Sequence, residues 1–311
     1  MAGLPPPRRP ARPARLPAAG AAVRPDPRSA QRPPGREGRQ KVRVVDPRRV
    51  YSALVFFPLF YVLVRHLPPA AFSLFVAAGI LLAQYEYYRF HFPVPYSPPM
   101  GLGLGLGLLV TAGFAVPGLL TEPATVTFIV MAILLSHVLA GRELKAGLLD
   151  TAVIAFGVFY VAWLLGHLIL VRQMADGPFL IFFLFLVTWA NDTAAYYVGT
   201  FMGRHPMAPR ISPKKTWEGA VGGLLGSVAA AFACRAWFLA SLDARDAAIL
   251  GLLVGVAAPL GDLCESVLKR SAGVKDSGGI IPGHGGLLDR VDSLIFTAPV
   301  LYYYLLTVRT L

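Results

Sequence analysis

Residues 251–270 read GLLVGVAAPLGDLCESVLKR. The first ten positions carry no charge, and then Asp262, Glu265, Ser266 and Lys269 follow at i, i+3, i+4 and i+7. On a helix those four side chains share one face. Charges inside an apolar span are costly, so the stripe must look into a bundle or a wet cavity and marks a functional site by default. The plainer reading is an i,i+4 ion pair, Glu265 with Lys269, that ties helices together. It accounts for Glu265 but leaves Asp262 without a local partner.

The rest of the chain fits a helical membrane bundle. Of 311 residues 55% are hydrophobic and 15% charged, with a mean hydropathy of +0.58, which excludes an ordinary water-soluble domain. A helix needs roughly 20 apolar residues to cross ~30 Å of hydrocarbon. Nine segments qualify, near 49–66, 69–88, 101–120, 124–140, 148–171, 178–200, 217–240, 246–270 and 293–308. In the third, glycines alternate with leucines as in a strand, but a lone strand cannot satisfy its backbone in lipid, so a helix with close-packing glycines is expected. The expected fold is therefore all-α, a polytopic integral membrane helical bundle with about nine transmembrane helices.

The net charge of +12 suggests nucleic acid until it is located. Residues 1–49 hold 13 basic against 3 acidic side chains, whereas residues 50–311 hold 16 against 14. The basicity belongs to a Pro/Arg-rich tail too poor in large apolar residues to fold, and no nucleic-acid partner is expected. Contact with anionic lipid is the functional reading of that tail, and a solvated extension is the favoured one. Three parts are thus expected: a disordered cytoplasmic tail (1–48), N-terminal transmembrane helices (49–175) and a C-terminal catalytic transmembrane domain (176–311).

With the tail inside and nine spans, 11 of the 16 later basic residues fall in cytoplasmic connections, among them Arg204, Arg210, Lys214, Lys215, Lys269, Arg270, Lys275 and Arg290. That bias places loops 201–216 and 271–292 together on the cytoplasmic face. Cys234 and Cys264 lie in apolar runs without metal-ligand spacing and are expected to be buried thiols.

Residues 273–292 read GVKDSGGIIPGHGGLLDRVD. Six glycines allow backbone amides to aim at phosphate oxygens, with Lys275 and Arg290 adding positive charge. Asp289 and Asp292, three apart at the start of the last span, share a face if that turn is helical. With Asp262 they offer oxygen ligands for Mg2+, which is usually held by a few carboxylates plus substrate phosphates. Upstream, residues 189–219 read WANDTAAYYVGTFMGRHPMAPRISPKKTWEG. Asp192 interrupts an apolar span, and Ser212 or Thr216 can cap the next helix, with Glu218 favourable in its first turn. The adjacent Lys214 and Lys215 suit a polyphosphate or an anionic headgroup, or serve only as a topology signal.

The run S-V-L-K-R-S-A-G-V-K-D-S-G-G-I-I-P-G-H-G-G-L-L-D-R-V-D, Ser266 to Asp292, resembles the signature of the phosphatidate cytidylyltransferase (CDP-diacylglycerol synthase) family without departure at its defining positions. D-T-A-A-Y (192–196) and S-P-K-K-T-W-E-G (212–219) are similar to that family as well. The likeness is firm over about 180–305 and general over 50–180. It implies transfer of a cytidylyl group from CTP to phosphatidate, giving CDP-diacylglycerol and pyrophosphate. Mg2+ would be required, with K+ as a plausible second cation. It also implies Asp262 and Asp289 as principal metal carboxylates, with Asp292 and Glu265 nearby. Lys275 and Arg290 would act beside them. Asp192, Ser212, Lys214, Lys215, Lys269, Arg270 and His284 would contact substrate, His284 either as a phosphate hydrogen bond or as a structural histidine. The partners implied are CTP, phosphatidate and the bilayer, with a homodimer compatible, and the location a bacterial cytoplasmic membrane. Two alternatives stay open on the residues: a CTP-dependent polyprenol kinase, which would leave only phosphate on the lipid, and a transporter coupled through Asp192 and Asp262, although no inverted repeat is evident.

Overall fold

The computed structural model describes residues 47–140, 144–278 and 285–309. The chain divides into two units, Met1–Ala53 and Leu54–Leu311, and the second carries the helical bundle. In chain order the helices are α1 (Pro47–His66), α2 (Pro69–Arg89), α3 (Pro98–Ala115), α4 (Glu122–Ala140), α5 (Leu144–Gly157), α6 (Leu164–Gln173), α7 (Gly177–Met202), α8 (Trp217–Trp237), α9 (Ala244–Ser271) and α10 (Leu288–Arg309). A wider π turn, Val158–Trp163, joins α5 to α6 in one run. Among the described residues eight runs, from α2 onward, are long and apolar enough to cross a membrane. The protein is an all-helical, multi-pass membrane bundle. The expected first span coincides with α1, part of whose side chains lie outside the described residues.

The glycine run of α3 is helical, as backbone satisfaction in lipid demands. Two of its glycines give α2 room: a Cβ on Gly103 would strike Tyr88 and one on Gly107 would strike Gln84. Those two α2 side chains use the space to reach carbonyls just before the π turn, Gln84 Nε2 donating to Gly157 O at 3.2 Å and Tyr88 Oη to Ile154 O at 3.1 Å. Buried polar groups in a membrane interior need such partners.

Small residues also govern the C-terminal helices. Gly223 and Gly226 of α8 lie against Ala195 and Ala194 of α7, and Gly251 of α9 lies against the Val228 backbone of α8. Pro259 inside α9 has no N–H, so Gly255 O loses its helical donor, and Asn191 Nδ2 of α7 supplies one at 3.1 Å while also donating to Ser227 Oγ at 2.9 Å. One turn on, α9 meets α10 so closely that a Cβ on Gly261 would stand 2.5 Å from Asp292 O. A backbone carbonyl cannot rotate away, so Gly261→Ala should separate the two helices and cost about 1–3 kcal/mol, typical of overpacking. The measurement is the thermal midpoint in detergent, and an unchanged midpoint would deny that contact any importance.

Two details differ from the sequence reading. The 201–216 loop carries a short antiparallel ribbon, β1 (Pro206–Ala208) and β2 (Ser212–Thr216), pairing Pro206 with Thr216 and Ala208 with Ser212. Cys234 is buried as expected, but Cys264 is exposed, because two residues beyond Asp262 the helix has turned it off the polar stripe.

Candidate active site at the meeting of helices 7, 9 and 10

The stripe on α9 faces inward. Asp262 Oδ2 pairs with Lys215 Nζ of β2 at 2.8 Å, and Lys215 Nζ also reaches Pro259 O at 3.5 Å. Ser266 Oγ lies 3.4 Å from Asp262 Oδ1. One turn along, Lys269 pairs with Glu265, the expected local ion pair, and at 2.6 Å with Asp289 Oδ1 of α10. Glu265 is fully buried, with the Lys269 ammonium against it. Asp289 Oδ2 in turn accepts the amides of Ser277 and Gly286 at 3.0 Å each, which ties the start of α10 to the loop before it.

Asp192 of α7, Asp262 and Asp292 lie within electrostatic reach of one another. Among the described residues the Asp192 side chain makes no hydrogen bond or ion pair, although Lys215 is within electrostatic reach of it. Asp262 and Asp289, the two carboxylates given the leading metal role, thus belong to adjoining ion-pair sets, the first with Lys215 and the second with Lys269. No group of three or more His, Cys, Asp or Glu among the described residues stands in metal-holding array.

The two loops lie at one end of the bundle, as expected, and they touch. Arg270 Nε donates to Ile211 O at 3.4 Å and its Nη1 to Val274 O at 3.3 Å, so this guanidinium bridges the 201–216 and 271–292 segments. Thr216 caps α8 by accepting Gly219 N at 3.1 Å, while Ser212 is a ribbon residue. Glu218 accepts the amides of Arg204 and His205 at 3.1 and 3.2 Å and the His205 ring at 2.5 Å, so it anchors the ribbon. Lys214, Lys275 and Arg290 are exposed at this end of the bundle. His284 lies outside the described residues.

Sequence reasoning missed Glu86. This α2 carboxylate is buried, and it accepts Leu287 N at 3.0 Å and Leu288 N at 2.8 Å with Ser277 Oγ at 3.0 Å. The cost of placing a charge within a span, which singled out Asp262, applies equally to the run AQYEYYR (83–89).

Residues 47–308 match the family model described as "Cytidylyltransferase family". The chain belongs to the cytidylyltransferase family. Several curated proteins are similar to this chain over part of their length. A phosphatidate cytidylyltransferase of Brucella suis is 43% identical over 153 residues, 48% of this chain and 56% of that protein. One from Staphylococcus saprophyticus is 39% identical over 176 residues, 57% of this chain and 66% of its own. An Escherichia coli K12 protein named uncharacterized protein YnbB is 43% identical over 150 residues, 48% of this chain and 49% of its own. The chain spans about half the length of the curated relatives it matches.

Proposed function

We propose that this cytidylyltransferase acts on phosphatidate: CTP and phosphatidate give CDP-diacylglycerol and pyrophosphate at the cytoplasmic face of a bacterial membrane. The observation that carries the reading is the pairing of Lys215 with Asp262 and of Lys269 with Asp289 where two basic loops meet three spans. The names of the partial relatives from Brucella and Staphylococcus point the same way.

The lipid phosphate is already an oxyanion nucleophile, so the site needs no strong base. A new bond forms from a phosphatidate oxygen to the α-phosphorus of CTP, and the bond to the bridging oxygen breaks as pyrophosphate leaves. The barrier lies in bringing two polyanions together and stabilising the charge that develops, a task of positioning and electrostatics. Lys214, Lys215, Lys275 and Arg290 supply positive charge for the phosphates. Arg270 holds the two loops in register, and Lys269 aims Asp289 by pairing with it. The donor set matches Mg2+ in kind: it is all oxygen, among the described residues the Asp192 side chain makes no hydrogen bond or ion pair, and a lysine ammonium stands against Asp262. The three carboxylates do not stand in metal-holding array among the described residues, so Asp262, Asp292 and Asp289 would hold that ion only where it takes the place of the lysines now paired with Asp262 and Asp289; when bound it would neutralise phosphate charge as a Lewis acid. K+ enters the proposal through the resemblance alone.

The test is purified protein in lipid with phosphatidate, Mg2+ and CTP labelled on the α-phosphate. The expected result is label in CDP-lipid; label absent from lipid while a γ-label appears there would mean a lipid kinase. Within that assay the two lysines should separate. Lys214→Ala, at an exposed side chain, should raise KM for CTP or phosphatidate about tenfold, a loss of ~1.4 kcal/mol of binding, with kcat nearly unchanged. Lys215→Ala also unpairs Asp262 and should lower kcat. Identical kinetics for the two variants would count against these separate roles.

A further inference from the structure

Glu86 is where the N-terminal helices touch the glycine-rich loop. Its two oxygens take the amides of Leu287 and Leu288, the residues at the very start of α10. A helix start has amides that no helical carbonyl can serve, and it favours negative charge. Here a side chain 201 and 202 positions away in sequence does that work. A cap alone would stop there, but Ser277 Oγ also stands 3.0 Å from both Glu86 Oε2 and Asp289 Oδ2, and lies 3.4 Å from Asp289 N. One hydroxyl with one proton thus sits between two carboxylates, one from α2 and one in the ion-pair set with Lys269. The packing leaves no slack: a Cβ on Gly286 would stand 2.5 Å from Glu86 Oε2 and 2.0 Å from Ser277 Oγ, and one on Gly278 would stand 2.9 Å from Glu86 Oε1. The chain therefore leaves this carboxylate at Gly278 and returns to it at Gly286.

We propose that Glu86 is a positioning residue for the transfer reaction: it gathers both ends of the loop onto one carboxylate from α2 and, through Ser277, sets where the Asp289 carboxylate stands. Its catalytic consequence rests on the reading under Proposed function; its structural consequence does not.

The test uses the full chain in lipid nanodiscs with Glu86→Gln, Ser277→Ala and the double variant, read by kcat, by KM and by backbone amide exchange. Glutamine keeps one acceptor but turns an NH2 toward a donor. Displacement of catalytic groups by about 1 Å can cost on the order of a hundredfold, so kcat should fall between about tenfold and a hundredfold while KM for CTP moves less than about threefold. Ser277→Ala should lower kcat similarly, and the double variant should be no worse than Glu86→Gln, because both act through one contact chain. Exchange at Leu287 and Leu288 should quicken about tenfold or more while amides in α8 hold. A kcat for Glu86→Gln within twofold of wild type, or losses that multiply in the double variant, would overturn the proposal. If Glu86→Gln does not assemble, an unchanged kcat for Ser277→Ala overturns it. If wild-type protein makes no CDP-lipid, the functional reading falls, and unaltered exchange at Leu287 and Leu288 in Glu86→Gln then rejects the loop-setting role by itself.

Discussion

Asp289→Asn should leave the helical bundle assembled and, if the proposed reaction is the right one, lower CTP-dependent formation of CDP-lipid by about a thousandfold, the upper range for removing one preorganised electrostatic group. The geometry explains both halves of that expectation. The close backbone contacts between helices, such as Gly261 against Asp292 O and Gly251 against Val228, do not involve this side chain, and its link from α10 to Lys269 of α9 keeps one acceptor oxygen in asparagine. Its carboxylate, however, has acceptors committed on both sides: Oδ1 to Lys269, Oδ2 to the amides of Ser277 and Gly286. Asparagine must turn its NH2 either toward an ammonium or toward two amides, so donor faces donor whichever way it flips. The loop then loses its register against α10, and the proposed divalent ion loses one anionic ligand. A folded variant with wild-type turnover would remove Asp289 from the mechanism.

Lys269→Met acts on stability more than any other single change in the site. Among the described residues Lys269 is the cation shared by Glu265, which is fully buried, and Asp289, whose side chain is 14% exposed. Removing it leaves two carboxylates facing each other out of water, and breaking a buried pair in this way costs about 3–5 kcal/mol. The thermal midpoint of the detergent-solubilised protein should drop accordingly. Glu265→Gln combined with Lys269→Met removes one of the stranded charges and should recover part of the loss. A midpoint unmoved by Lys269→Met, or a double variant worse than the single one, would show that Lys269 does not stabilise these carboxylates.

Helical periodicity made the α9 stripe legible, and with it the pairing of Glu265 with Lys269, because both partners sit within one turn. The demand that lipid places on backbone likewise settled α3 as a helix, and local capping chemistry left the α8 cap between Ser212 and Thr216, of which Thr216 fills it. What escaped depends on distance along the chain. Lys215 meets Asp262 from another element, and Asn191 replaces the donor missing at Pro259. Glu86 carries the same signal as Asp262, but its partners are not the one that local spacing offers: Arg89, three residues on, stands at i,i+3 at a helix end. In the fold Arg89 turns instead to the carbonyls of Phe92 and Pro93, and Glu86 goes to α10.

The amides of Leu287 and Leu288 find their acceptor on α2, far upstream of the helices that carry the acidic cluster. Dissecting the gene between Gln173 and Gly177 would therefore yield an excised fragment containing every residue of the recognisable motif yet missing the anion that orders it. Any minimal, transplantable version of this enzyme has to carry α2 along.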